Sequence, residues 1–229
     1  MMNDDAIRLA KRVADVAACS RADAERYIAG GWVSVDGVIA DDPASRVTPE
    51  QVVTMLPGAT PVEPLPVTIL LHKPAGIDLE AALASIGPDN LEHEQGFGKP
   101  FLRRHLFKQA LATPLEDMAS GLVVFSQDWR VMRKLVEDAP RNEYEYVVEV
   151  EGQIADGGLD KLNRMFKASW QNETRLRIAG KNIQRGQIAR LCGDVGLRVV
   201  SMRRLRIGRI SMGSLPAGGW RYLRDVERF

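Results

Sequence analysis

Four prolines fall within the ten residues Pro57-Gly-Ala-Thr-Pro-Val-Glu-Pro-Leu-Pro66, and neither a helix nor a central strand runs through such a stretch. It reads as an extended, semi-rigid spacer. A chain of 229 residues divided there has room for one small module and one domain of ordinary size. The division expected is a first module over residues 1–57, a linker over 58–66 and a second domain over 67–229.

In the first module, Ile7 to Ala18 is rich in Ala and Val and reads as a helix. Ser20 caps a second helix, with Asp23 three residues on. That helix stops at Gly30-Gly31, where glycine adopts the left-handed conformation. Asp36-Gly37 between Trp32–Val35 and Val38–Ala40 is a hairpin signal, and Val52 to Leu56 supplies a last strand. Arg8, Lys11, Arg12, Arg21 and Arg26 lie on or near the two helices. Arginines beside helix N-termini, with the Ser20 hydroxyl, suit phosphate contacts. The residues Arg8-Leu9, Cys19-Ser20-Arg21, Ala24, Ile28, Gly31, Val33, Val35 and Asp36-Gly37 resemble the alpha-L RNA-binding module of the small-subunit ribosomal protein "S-four".

The second domain opens with a strand, Val67 to Leu71, and the tight turn Lys73-Pro74-Ala75-Gly76. His72 reads as a packing residue. Leu79 to Ile86 is a candidate helix and Gly87 to Pro100 a polar loop. The run Thr113-Pro-Leu-Glu-Asp-Met-Ala-Ser-Gly-Leu122 sets two carboxylates, Glu116 and Asp117, just before an apolar strand, Leu122 to Phe125. A strand that fixes the backbone while its entry loop exposes an acid is a common way to hold a reactive carboxylate, and also a common polar turn. Trp129 to Val136 reads as an amphipathic helix with Trp129, Met132, Leu135 and Val136 on one face. Glu143 to Glu151 alternates, with Tyr144, Tyr146, Val148 and Val150 on one side and Glu143, Glu145, Glu149 and Glu151 on the other. Further elements are a helix over Leu159–Phe166, a strand over Thr174–Ala179, a turn into a helix over Asn182–Cys192 and strands over Leu197–Ile210. The domain is mixed α+β with much antiparallel pairing.

The net charge of +1 singles out no partner, but its distribution is uneven. From Lys181 onward there are eleven Lys/Arg against three acids, whereas the first 57 residues hold six basic and nine acidic residues. This basic stretch, with Arg198, Arg203, Arg204, Arg206 and Arg209, is either a phosphate track or a solvated strand surface. Cys19 and Cys192 are far apart and read as buried thiols in a reducing compartment. With Asp4 and Asp5 near the start and no long apolar run, neither a signal peptide nor a membrane span is expected, and the chain is placed in the cytoplasm.

An alpha-L module, then Lys-Pro-Ala-Gly, the Glu116–Ser126 stretch, a tyrosine-bearing strand, Gln187-Ile188-Ala189-Arg190 and a Trp-Arg-x-Leu ending together resemble the bacterial ribosomal-RNA pseudouridine synthases of the RsuA type. The resemblance implies a protein that docks on structured RNA, ribosomal RNA or assembling subunits, as a monomer without metal or cofactor. It also implies flipping of a uridine into a pocket, cleavage of its C1'–N1 bond and reattachment of the uracil through C5. A base must leave the stack before its sugar can be reached, and an aromatic platform offsets the lost stacking.

Carried over residue by residue, Tyr144 is the platform, or else a core residue paired with Tyr146. Lys73 is the first-motif lysine and Leu122 a pocket residue. Arg190 or Arg185 is the cation, and Arg185, Arg203 and Arg206 join Lys73 as RNA contacts. The family's catalytic aspartate position is occupied by Glu116, with Asp117 as the neighbour that could stand in for it. Pro114 replaces an arginine, Asn142 a lysine, and Ala189 the arginine after Gln-Ile. These departures lead us to expect weak or lost isomerisation on a retained RNA-binding scaffold, the alternative being a working enzyme that uses Glu116 or Asp117.

Overall fold

The computed structural model describes residues 5–92 and 101–229, so residues 93–100 of the expected polar loop lie outside the described residues. The chain forms two compact units, residues 5–66 with 101–107, and residues 67–92 with 108–229.

In the first unit, β1 (Ile7–Arg8) leads into α1 (Leu9–Ala17) and α2 (Arg21–Ala29). The Ser20 hydroxyl accepts the Asp23 amide at 3.1 Å and starts α2 as expected. Gly31, at φ +75°, turns the chain out of it. The hairpin β2 (Val33–Val35) and β3 (Val38–Ile39) follows, with Asp36 and Gly37 both at positive φ. β4 (Arg46–Val47) pairs with β1, and β5 (Val53–Met55) with β2. Leu9, Val13, Ala24, Ile28, Val33 and Val47 fill the core. Residues 101–107 also belong here. Leu102 is buried beside Gly31, and Arg104 donates to the Ala29 carbonyl at 3.4 Å.

The second unit is built on a mixed sheet. Its strands in chain order are β6 (Thr68–Lys73), β7 (Ala110–Leu111), β8 (Ser120–Ser126), β9 (Glu143–Gly152), β10 (Lys167–Trp170), β11 (Arg175–Lys181), β12 (Leu197–Ile207), β13 (Ile210–Ser211) and β14 (Trp220–Tyr222). They lie in the order β10-β11-β9-β12-β8-β6-β14, with β7 on β8 and β13 on β12. All pairs are antiparallel except β8–β12, whose parallel register sets Arg203 against Ser120 and Arg204 against Gly121. Leu70, Leu122, Val124, Leu135, Ile207 and Ile210 form its core. The helices are α3 (Leu79–Ala84), α4 (Trp129–Met132), α5 (Gly158–Asn163) and α6 (Gln187–Gly193).

One expected face is corrected. After α4 the chain widens into a π-turn, Arg133–Glu137. The extra residue in that turn breaks the 3.6 period. Leu135 is therefore buried while Trp129 and Val136 are exposed. His72 packs as expected, its Nδ1 2.8 Å from the Leu215 carbonyl. Cys192 is buried and Cys19 half-buried, both free; burial pushes the Cys192 thiol up to about 11. Among the described residues no helix is long and apolar enough to cross a membrane.

Candidate active site and nucleic-acid surface

The loop between β7 and β8 carries Glu116 and Asp117, and it is pinned from below. Arg204 of β12, 2 % exposed, reaches under it. Its Nε donates to the Leu122 carbonyl at 2.7 Å, and its two terminal nitrogens donate to the Pro114 and Thr113 carbonyls at 2.9 and 2.7 Å. Buried carbonyls need such partners, and one planar guanidinium serves three of them. From the other side, the Lys73 Nζ donates to the carbonyls of Pro74, Ile77 and Asp117, each at 2.8 Å. Gly76 adds its amide to the same Asp117 oxygen. Burial pushes the Lys73 ammonium below the usual lysine range, while the Asp117 and Asp78 carboxylates resist. Lys73 was expected to touch RNA. It is fully buried with its three protons engaged, so it holds the loop instead.

Above this floor lie two adjoining clefts. The first, of about 320 Å³, is lined by Pro114, Leu115, Glu116, Asp117, Tyr146, Arg185, Ile188 and Met202 among others. Glu116 Oε1 accepts the Gly186 amide at 2.6 Å, and Asp117 is exposed. The second, of about 410 Å³, lies across Pro114 and takes in Tyr144, Asn182 and Arg204; Pro114, Tyr146, Ile183 and Gln184 border both.

Three expectations change here. Tyr146 lines the carboxylate cleft and Tyr144 does not; Tyr144 lines the neighbouring one, with the Arg204 guanidinium 5.6 Å from its ring centre. Burial raises the Tyr144 phenol above the usual tyrosine range, and the guanidinium partly offsets this. Period-two alternation puts both tyrosines on one face, so the pattern carried the right face and left the choice between them open. Arg190 is exposed on α6 and lines neither cleft, whereas Arg185 lines the first. Leu122 is core, not pocket. Asn142 is also internal, its amide donating to the carbonyl of Lys134 in the π-turn at 2.8 Å. Arg204, which the arginine count set on a surface track, is the residue missed. Its inward phase with Met202 on β12 was the available signal. Among the described residues no group of three or more His, Cys, Asp or Glu could hold a metal ion.

The expected basic track of the C-terminal strands is partly neutralised: Arg198 and Arg206 are ion-paired and Arg204 is buried, while Arg203 and Arg209 are exposed. Glu143, Glu145, Glu149 and Glu151 of β9 lie opposite cations of β10, β11 and β12. Lys167 and Arg206 bind Glu143 at 3.0 and 2.6 Å, and Arg206 and Arg177 bind Glu145 at 2.8 and 2.6 Å. Arg175 faces Glu149, and Arg198 pairs with Glu151. Arg206 thus bridges two glutamates and offers no free charge to a phosphate, while Arg203 remains exposed. Arg206 and Lys167 hold the Glu143 carboxyl below the usual range. For Glu145, burial pushes upward, but the two arginines outweigh it and its pKa is also lowered. Depressed carboxyls stabilise the fold above their unfolded pKa near 4.5, and that stability is lost as pH falls through the folded values. Unfolding midpoints in urea should therefore drop between about pH 5 and about pH 3. Glu145→Gln should start lower at neutral pH and drop less, and an equal drop in both proteins would contradict the pairing.

In the first unit, Arg8, Lys11, Arg21 and Arg46 line a shallow concavity of about 360 Å³ with Asp15. Arg21 also contacts Glu25 at 3.1 Å, and Arg26 contacts Asp23 at 2.9 Å. Both pairs are exposed and weak. Arg12 is half-buried and outside the concavity, and the Ser20 hydroxyl is engaged by its own helix.

Comparison with known proteins agrees with this geometry. Residues 7–53 match the S4 domain model. The chain is 27 % identical over 245 residues to the dual-specificity RNA pseudouridine synthase RluF of Escherichia coli K12, covering 99 % of this chain and 79 % of that one. It is 25 % identical over 234 residues to the ribosomal small subunit pseudouridine synthase A of Salmonella typhimurium, covering 96 % and 98 %. A crystal structure of a pseudouridylate synthase superposes with a TM-score of 0.59 at 17 % identity, over 95 % of this chain and 96 % of that one, a likeness of fold. An S4 domain joined to a mixed-sheet pseudouridine-synthase domain defines the class. Within it the chain resembles the synthases of the RsuA and RluF type.

Proposed function

We propose that this chain docks on structured ribosomal RNA, free or in assembling subunits, and isomerises uridine slowly or not at all. The observation that carries the reading is how the site's charges are used. Glu116, at the position of the family's catalytic aspartate, is held by a backbone amide. Arg204 is spent on three carbonyls. Among the described residues no ion pair involves Glu116 or Asp117. A carboxylate without its cation lacks the partner that would fix it in a productive geometry. A second reading, a working synthase using Glu116 or Asp117, is favoured by Arg185 and Tyr146 lining the same cleft as both acids.

The RNA-binding part rests on the S4 concavity, and its test is affinity for ribosomal RNA across a salt series. Neutralising Lys11 and Arg21 together to Gln should weaken binding about tenfold and reduce the slope of log affinity against log salt by about 1.5. Unchanged affinity and slope would remove this surface from the interface.

A further inference from the structure

The second cleft holds neither Glu116 nor Asp117, and its walls have the chemistry of a nucleobase site. Its volume of about 410 Å³ lies within the range of small-ligand pockets. Leu111, Leu135, Val136 and Ile183 give it apolar sides, and Tyr144 and Tyr146 give it two aromatic rings. Gln184 Nε2 donates to the carbonyl and side-chain oxygens of Asn182 at 3.2 and 2.8 Å. That leaves Gln184 Oε1 and Asn182 Nδ2 without protein partners among the described residues. An amide acceptor beside an amide donor matches the mixed donor and acceptor edge of a base. Asn182 stands at φ +52°. Asparagine adopts that region readily, here at the exit of β11.

We infer that this cleft receives the base next to the one presented to Glu116, so that the domain reads two consecutive unpaired nucleotides. The reason is the shared rim. Pro114, Tyr146, Ile183 and Gln184 border both clefts, and a strand with one base in the first passes its neighbour over Pro114 into the second. A smaller side chain in the loop leaves that passage open, and proline lacks the long arm of the arginine expected there from the family resemblance. The role of Tyr144 follows: it is a stacking wall for the neighbouring base, backed by the Arg204 guanidinium. This inference rests on the RNA-binding reading.

The test uses the full chain and an RNA hairpin with an all-uridine loop, compared with the same hairpin whose alternate loop nucleotides are abasic. In the second RNA one base can enter a cleft, but its neighbours have nothing to stack. Wild-type protein should bind the intact hairpin about tenfold more tightly. Val136→Trp should abolish that preference by filling the second cleft from its rim, where Val136 is exposed. Ala139→Phe, from the neighbouring turn, should do the same. Equal wild-type binding to both hairpins, or a preference surviving in both filled variants, would overturn the second-base site alone. Failure of wild-type protein to bind either hairpin would overturn the RNA-binding reading and this inference with it.

Discussion

Gly121→Ala should lose about 4 kcal/mol or more of folding stability and accumulate mainly as insoluble chain. A Cβ built at this position lies 2.3 Å from the Arg204 carbonyl oxygen and 2.5 Å from its amide nitrogen. Both neighbours are backbone atoms of β12, so no side chain can rotate away. The glycine also sits at φ +114°, a region that L side chains rarely adopt. Relief requires β8 and β12 to separate at their parallel contact. That separation would pull Arg204 away from the Thr113, Pro114 and Leu122 carbonyls and leave buried acceptors unpaired. The measurement is soluble yield and urea midpoint, with Ser120→Ala beside it, whose unfolding free energy should change by no more than about 0.5 kcal/mol. A soluble Gly121→Ala protein with an unchanged midpoint would show that the β8–β12 contact does not define the loop.

The same contact shows what was legible in the sequence. The Ser-Gly before an apolar run announced β8, and the alternation of Glu143 to Glu151 announced β9, because burial of one sheet face imposes a period of two. The Pro-rich stretch and the Asp-Gly hairpin were equally readable, since proline and glycine act through local sterics. Long-range partners were not. Counting eleven cations from Lys181 onward suggested a charged track, but five of them lie on β11 and β12, the strands that flank β9, with Arg198 and Arg206 in direct ion pairs with its glutamates. Strand order decides that, and it is invisible to a window along the chain. Arg204 shares its inward phase with Met202, but the irregularity between Arg204 and Arg206 breaks the alternation after it, so the run of arginines reads as one surface. The π-turn at Arg133–Glu137 displaced a helical face by one residue. Residues 101–107, poorly patterned in sequence, pack on the first unit through Leu102.

The largest functional effect concerns the four departures from the family pattern, of which Pro114 and Glu116 line the cleft. Glutamate extends the carboxylate by about 1.5 Å relative to aspartate. A misplacement of about 1 Å costs on the order of a hundredfold in rate. Here the longer arm reaches the Gly186 amide. That bond holds the acid at the wall of the cleft, where an aspartate would fall short. Ala189 supplies no guanidinium, Pro114 none on the loop, and Asn142 is buried in a carbonyl contact. Arg185 remains in the cleft as a cation that a shorter, freed carboxylate could use. Reversal should therefore be stepwise. Glu116→Asp alone should gain little. Glu116→Asp combined with Ala189→Arg and Pro114→Arg should gain about a hundredfold or more.

Mapping of pseudouridine tests this most directly. Purified protein would be incubated with protein-free total ribosomal RNA and with immature ribosomal particles, and new pseudouridines located at nucleotide resolution. The expected result is that wild type and Glu116→Ala give the same negligible yield while both retain salt-dependent RNA binding, and that the triple reversal forms product at a defined site. Stoichiometric, site-specific product from wild type that disappears in Glu116→Ala would contradict the account and establish the glutamate as a working catalytic residue.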